Sequence, residues 1–182
     1  KGVEVFCARG CNAKSVRDYI LAILINLKVL SFDIINFKPK LAGVIGYGHV
    51  GTKVAELFYS LGFKVMVYDP FVVNIDSKYN KANSLDELFN CDLISIHCSL
   101  NHQSENLINK SFIQKLKPGV ILLNASRGEV IKEGDLLEYG KHLTYCLDVW
   151  NNEPNISKQL VMTSKIATPH IAGHSVAGKL KG

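Results

Sequence analysis

The sequence predicts an α/β domain: a doubly wound parallel sheet with helices on both faces. Three observations carry that expectation. Short runs rich in Val, Ile and Leu recur along the chain, each followed by a segment with three- and four-residue apolar spacing. The runs lack polar alternation, as strands buried on both faces do. A glycine-rich stretch, Gly46-Tyr47-Gly48-His49-Val50-Gly51, stands at a strand-to-helix junction.

Taken in order, Val3-Glu4-Val5-Phe6-Cys7 reads as a short strand ended by Arg9-Gly10. A long amphipathic helix is expected over residues 12–30, with Val16, Tyr19, Ile20, Ile23, Leu24, Leu27 and Leu30 on its apolar face and Asn12 placed to cap it. A face that broad packs on its own sheet or on a second subunit, and periodicity leaves both open. Strands are expected at 41–45, 64–68, 93–97, 120–124, 144–148 and 165–167. Helices are expected at 49–61, 84–90, 110–116, 134–139 and 155–161. Ser84 and Glu87 have capping-box spacing, and Gly62 and Pro118-Gly119 punctuate element ends. Right-handed crossovers between such strands give the doubly wound topology.

Composition narrows the function classes. At 47% hydrophobic and 20% charged, the 182 residues can bury a core, which excludes a disordered or collagen-like chain. Five cysteines, an odd number without a C-x-x-C pair, exclude a zinc ribbon and a thioredoxin-type motif. Reduced thiols and a cytoplasmic location are the expectation. The longest apolar stretch, Tyr19 to Leu27, is about half a membrane span, so no membrane partner is expected. The chain opens on Lys1 without a charged-then-apolar leader and reads as a piece of something larger. The net charge is +5, but lysine supplies 18 of the 21 basic residues, spread along the chain without a run of five. That dispersion argues against nucleic acid and suits small anionic ligands.

The glycine stretch lies between the apolar run Leu41–Ile45 and a helix built on Val50, Val54, Leu57, Phe58 and Leu61. In that context the first glycine permits a tight turn, the second admits a pyrophosphate, and the third lets helix and strand pack. The helix start offers free N–H groups and a positive dipole end. Asp69 follows the next strand, eighteen residues beyond Gly51, where a carboxylate can accept from ribose hydroxyls and repel a 2′-phosphate. With no arginine at 70–75, the expected cofactor is NAD.

Three later segments hold candidate catalytic groups. Arg127, in Asn124-Ala125-Ser126-Arg127-Gly128, follows a buried strand and can grip a carboxylate by two parallel hydrogen bonds. Glu153, in Asp148-Val149-Trp150-Asn151-Asn152-Glu153-Pro154, and His170, in Thr168-Pro169-His170-Ile171-Ala172-Gly173, can form an acid–base pair in which the carboxylate holds one imidazole tautomer. His170 and His174 have metal-like spacing, but Pro169 and Gly173 argue against a helix, so no metal site is expected. His49, His97, His102 and His142 have no obvious partner and read as structural.

This ordered series, with Tyr68-Asp69-Pro70, Ser126-Arg127-Gly128-Glu129 and Leu147-Asp148-Val149-Trp150, resembles the Rossmann NAD-binding domain of the D-isomer-specific 2-hydroxyacid dehydrogenases over nearly the whole chain. The resemblance implies that Arg127, Glu153 and His170 are catalytic. It implies that Gly46, Gly48, His49, Val50, Gly51, Asp69, Cys98, Asp148 and Gly173 meet the cofactor, and that Arg127 and His174 meet the substrate. It also implies a division into a stub of a substrate domain at 1–11, the NAD-binding domain at 12–173 and a returning stub at 174–182, with a homodimer built on the first long helix. Within the family, Gly10-Cys11-Asn12-Ala13 and the run from His170 through Ser175 to Gly182 are similar to the erythronate-4-phosphate dehydrogenases. That likeness implies a small phosphorylated 2-hydroxyacid, 4-phosphoerythronate, oxidised on the route to pyridoxal phosphate. Other D-2-hydroxyacids, of phosphoglycerate, glycerate, lactate or glyoxylate type, are the alternative within the family. An NAD-responsive co-repressor is the alternative outside catalysis. The sequence departs from the family at Cys98, usually threonine, at Ser99, usually proline, and at His174, a tyrosine in this branch. The stretch from Arg127 to Asp148 is about three residues shorter than usual.

Overall fold

The computed structural model describes residues 2, 4, 8–29 and 40–174. The strand expected over 3–7 (Glu4 aside) and the helix end at Leu30 fall outside them. In chain order the elements are α1 (Ala13–Asn26), β1 (Leu41–Ile45), α2 (His49–Ser60), β2 (Lys64–Tyr68), β3 (Asn80–Lys81), β4 (Leu93–Ile96), α3 (Lys110–Ile113), β5 (Ile121–Asn124), α4 (Glu133–Tyr139), β6 (Thr144–Leu147), α5 (Lys158–Thr163) and β7 (Ile166–Ala167). The strands form one parallel sheet in the order β3-β2-β1-β4-β5-β6-β7. This is the doubly wound Rossmann arrangement that the apolar runs predict.

Side chains alternate between two cores. Val65 and Val67 of β2 face Ile20, Ile23 and Leu24 of α1 and Val54, Ala55 and Phe58 of α2. Ile94 and Ile96 of β4 face Phe112 and Ile113 of α3, Leu136 of α4 and Leu160 of α5. Burial on both faces is why the strands lack polar alternation. It also assigns the apolar face of α1, which packs within its own domain.

Several local expectations are corrected. Asn12 precedes α1 without a side-chain cap bond, and residues 84–90 form a 3-10 turn at Leu85–Asn90 rather than an α-helix. Ser84 caps nothing there; Glu87 instead accepts from the Asn83 N–H, 3.0 Å away, closing a tighter loop one residue earlier. Helix α3 spans only Lys110–Ile113, started by Asn109, whose side chain accepts from Ser111 and Phe112 N–H groups. The last helix begins at Lys158 instead of 155, because Ser157 Oγ accepts from Leu160 N–H at 3.3 Å and sets the start there. Strand β3 gave no signal, being two exposed polar residues at the sheet edge.

Strand register is what positions the site. Tyr68, Ile45, Ile96, Asn124, Leu147 and Ala167 lie side by side at the carboxyl ends of β2, β1, β4, β5, β6 and β7. The segments carrying Asp69, Gly46, Cys98, Arg127, Asp148 and His170 therefore leave the sheet along one edge, where open α/β sheets take their ligands.

Candidate active site

At the first crossover Gly46 turns the chain with φ +91°, its N–H donating to Tyr68 O at 2.8 Å. A Cβ there would stand 2.6 Å from Cys98 N, and one at Gly51 would run into the Gly46 carbonyl, whereas Gly48 faces open space. The first intrahelical bond of α2 runs from Thr52 to Gly48, so the amides of His49, Val50 and Gly51 have no acceptor among the described residues. Asp69 braces the loop: Oδ2 accepts from Tyr47 N–H at 2.7 Å and Oδ1 from Phe71 N–H at 2.9 Å. Each oxygen keeps a further lone pair for a ribose hydroxyl. Beside them a cavity of about 380 Å³ is bounded by Gly48, Asp69, Phe71, Cys98 and Ser99 among others. Free amides at a helix N-terminus, a carboxylate and apolar walls together fit a dinucleotide. Burial pushes the Cys98 thiol up to about 11, so it lines this cavity as a neutral group.

The Arg127 turn is built by buried Asn124. Its Nδ2 donates to Arg127 O at 2.9 Å, and its Oδ1 accepts from Ser126 N at 3.1 Å and Ser126 Oγ at 2.9 Å. Gly128 then passes so close to the Trp150 backbone that a Cβ would overlap it. That contact brings the arginine segment against the one carrying Glu153. Arg127 itself is exposed, one Nη donating to Ser126 O at 2.6 Å.

Glu153 Oε1 accepts from Trp150 N–H at 2.9 Å, and Oε2 lies 2.8 Å from His170 Nδ1. Partial burial would raise the Glu153 carboxyl. The His170 hydrogen bond, the Trp150 N–H and the charges of His170 and Arg127 outweigh it and hold the group below the ordinary glutamate range. An ionised carboxylate only accepts, so His170 Nδ1 carries the hydrogen. In the ring's neutral form this leaves the Nε2 lone pair bare, and no described residue hydrogen-bonds to it.

His170 occupies the left-handed region, φ +57°, a conformation that costs a non-glycine residue on the order of 1–3 kcal/mol. Asp148, 1% exposed, holds it there. Its carbonyl accepts from His170 N–H at 2.7 Å, Oδ1 accepts from Ile171 N–H at 2.9 Å and Thr168 Oγ1 at 2.6 Å, and Oδ2 accepts from Ala172 N–H at 2.8 Å. The structure thus turns the Asp148 carboxylate into the histidine turn. Gly173 packs on Asn12, whose Nδ2 would lie 2.7 Å from an added Cβ. His174 is exposed, and no described contact joins it to Arg127 or Glu153.

Two residues that sequence reasoning passed over belong to this assembly. Thr168 gives its hydroxyl proton to Asp148 and its carbonyl accepts from Trp150 Nε1 at 2.9 Å. Tyr19, read as one more apolar position of α1, places its hydroxyl 2.6 Å from Thr168 Oγ1. The four histidines read as unpartnered are corrected in two cases: His97 Nε2 pairs with Ser95 Oγ at 2.7 Å, and His142 Nε2 with Leu116 O at 3.1 Å. No cluster of three His, Cys, Asp or Glu side chains suited to a metal occurs among the described residues. No helix among them is long and apolar enough to cross a membrane.

Residues 28–172 match the family described as D-isomer specific 2-hydroxyacid dehydrogenase, NAD binding domain. The chain is 42% identical to the erythronate-4-phosphate dehydrogenase of Legionella pneumophila over 183 residues, 98% of this chain and 51% of that protein. Among solved structures it is similar to the apo D-mandelate dehydrogenase of Rhodotorula graminis, with a TM-score of 0.83, 25% identity, and 96% and 60% of the two chains covered. It is also similar to the NAD+-bound 3-phosphoglycerate dehydrogenase of Entamoeba histolytica, with a TM-score of 0.78, 27% identity, and 94% and 58% covered. The chain spans about half the length of the curated relatives it matches.

Proposed function

Because the chain belongs to the D-isomer specific 2-hydroxyacid dehydrogenase family, as its NAD-binding domain, we propose that it is the cofactor-binding half of an NAD-dependent dehydrogenase that oxidises 4-phosphoerythronate at C2, a step toward pyridoxal phosphate. The observation that carries the chemistry is the pair formed by His170 Nδ1 and Glu153 Oε2 at 2.8 Å, with Nε2 bare at the sheet's ligand-binding edge. The 42% identity to an erythronate-4-phosphate dehydrogenase supports the choice of substrate.

NAD supplies the hydride acceptor when bound. Gly46, Gly48 and the free amides of His49, Val50 and Gly51 would hold its phosphates, and Asp69 a ribose; Cys98 would line its cavity and Gly173 flank the site. Arg127 would grip the substrate carboxylate and C2 oxygen, with His174 a second substrate contact. His170 Nε2 takes the hydroxyl proton as C2 is oxidised, and in the reverse direction returns it. The Glu153 carboxylate keeps Nδ1 protonated and stabilises the imidazolium formed. Asp148 is read as orienting this machinery.

The reading includes residues 12–173 as the cofactor-binding unit, with 1–11 and 174–182 leading to a substrate domain; the packing of Gly173 on Asn12 supports it by setting both crossings side by side. It also includes a cytoplasmic location and a homodimer. For the dimer the available face is the outer side of α1, where Ile25 is 60% exposed. Steady-state NADH formation by the intact protein tests the reading, with 4-phosphoerythronate, 3-phosphoglycerate, glycerate and D-lactate compared. The highest kcat/KM for 4-phosphoerythronate is expected. A preference for another acid overturns the substrate, and NADH binding without turnover of any of them overturns the reaction.

A further inference from the structure

The Asp148 carboxylate can only accept hydrogen bonds, so the 2.6 Å contact to Thr168 uses the single threonine hydroxyl proton. Thr168 Oγ1 must therefore accept in its other short contact, and Tyr19 donates to it at 2.6 Å. Donation therefore runs one way, from the Tyr19 hydroxyl to Thr168 and from Thr168 to Asp148, and the same carboxylate also accepts from the backbone N–H groups of Ile171 and Ala172, which follow His170. Burial pushes the Tyr19 phenol up to about 12, so it remains a donor throughout the neutral range. The carbonyl of Thr168 is pinned separately by Trp150, which also binds Glu153 through its own N–H. The threonine hydroxyl is thus the adjustable point of an otherwise fixed turn, and Tyr19 is what fixes it from α1, 149 positions away.

We propose that Tyr19 is a positioning residue for His170, its hydroxyl locking Thr168 and Asp148 in the arrangement that holds the histidine turn in its left-handed conformation. The proposal rests on the dehydrogenase reading for its effect on turnover, but its structural consequence is measurable without catalysis.

The test is Tyr19→Phe in the intact protein, read by amide hydrogen exchange and by kinetics. Exchange at Ile171 and Ala172 is expected to rise about fivefold, with Val44 and Ile94 in the sheet unchanged, since one hydrogen bond of about 1 kcal/mol is removed locally. The kcat should fall about five- to tenfold with the KM for NAD unmoved. Thr168→Val should reproduce both effects, Thr168→Ser, which keeps the hydroxyl, should show neither, and adding Tyr19→Phe to Thr168→Val should cost nothing more. Unaltered exchange at Ile171 and Ala172 in Tyr19→Phe overturns the proposal, as does a rise spread equally over Val44 and Ile94, which marks a role in general stability. If the exchange pattern is as expected while the unsubstituted protein oxidises no hydroxyacid, the dehydrogenase reading fails and the positioning role stands.

Discussion

Glu153 Oε2 stands 2.8 Å from His170 Nδ1, and the same carboxylate takes the Trp150 N–H through its other oxygen. The glutamate is thereby oriented by backbone before it orients the histidine. A neutral amide in its place would still accept from Nδ1–H but would not stabilise an imidazolium.

Glu153→Gln should lower kcat by about a hundredfold, the low end of what one acid–base group contributes, because the residue acts through His170. The pair is substantially exposed, 47% for His170 and 33% for Glu153, so the melting temperature should barely move. Parallel kinetics and thermal melts check this; unchanged kcat contradicts the role.

Asp148 carries a different burden. Its removal takes the carboxylate acceptor from the Thr168 hydroxyl and from the Ile171 and Ala172 amides, the last of them buried. Asp148→Ala should destabilise the domain by on the order of 3 kcal/mol, measured as a lower urea midpoint at unaltered slope. A loss like that of Glu153→Gln would show that the turn does not depend on it.

Asp69 serves two masters, the loop amide of Tyr47 and, in the proposed complex, a ribose. Asp69→Ser should weaken NADH binding about tenfold and narrow the preference over NADPH, because the repulsion of a 2′-phosphate is gone. Fluorescence titration with both nucleotides decides it; an unaltered ratio contradicts the assignment.

His97 gives an acid-sensitivity prediction. Burial pulls its imidazole from 6.5 down to about 3, with Nδ1 enclosed and unpartnered among the described residues. Below pH 6.5 the unfolded chain takes up a proton that the folded one refuses until about pH 3, so stability is complete above 6.5 and falls between those values. This group alone should remove about 2 kcal/mol between pH 7 and pH 5. In His97→Phe that part of the pH dependence should vanish from urea titrations, while an identical profile would contradict it.

The residues differ in how far they could be read before folding. The strands were legible because Val65, Ile94 and Leu122 belong to runs buried on both sides, which leaves a composition signal. Glycine positions at the phosphate loop were legible because each carries a distinct geometric demand. The helix start at Ser84 was misread since capping is decided by a side-chain torsion, which spacing does not encode. Edge strand β3 buries nothing and so leaves no hydrophobic trace. Tyr19 and Thr168 escaped because their partnership exists only once α1 is laid beside the last strand, and a tyrosine on an apolar helix face looks like core.

The central claim is that His170 accepts the substrate proton. The most direct measurement is kcat for His170→Ala in the intact protein with NAD and 4-phosphoerythronate, beside the dissociation constant for NADH. A fall of about a hundredfold or more in kcat with the dissociation constant unchanged is the predicted result. Wild-type turnover in His170→Ala would contradict it.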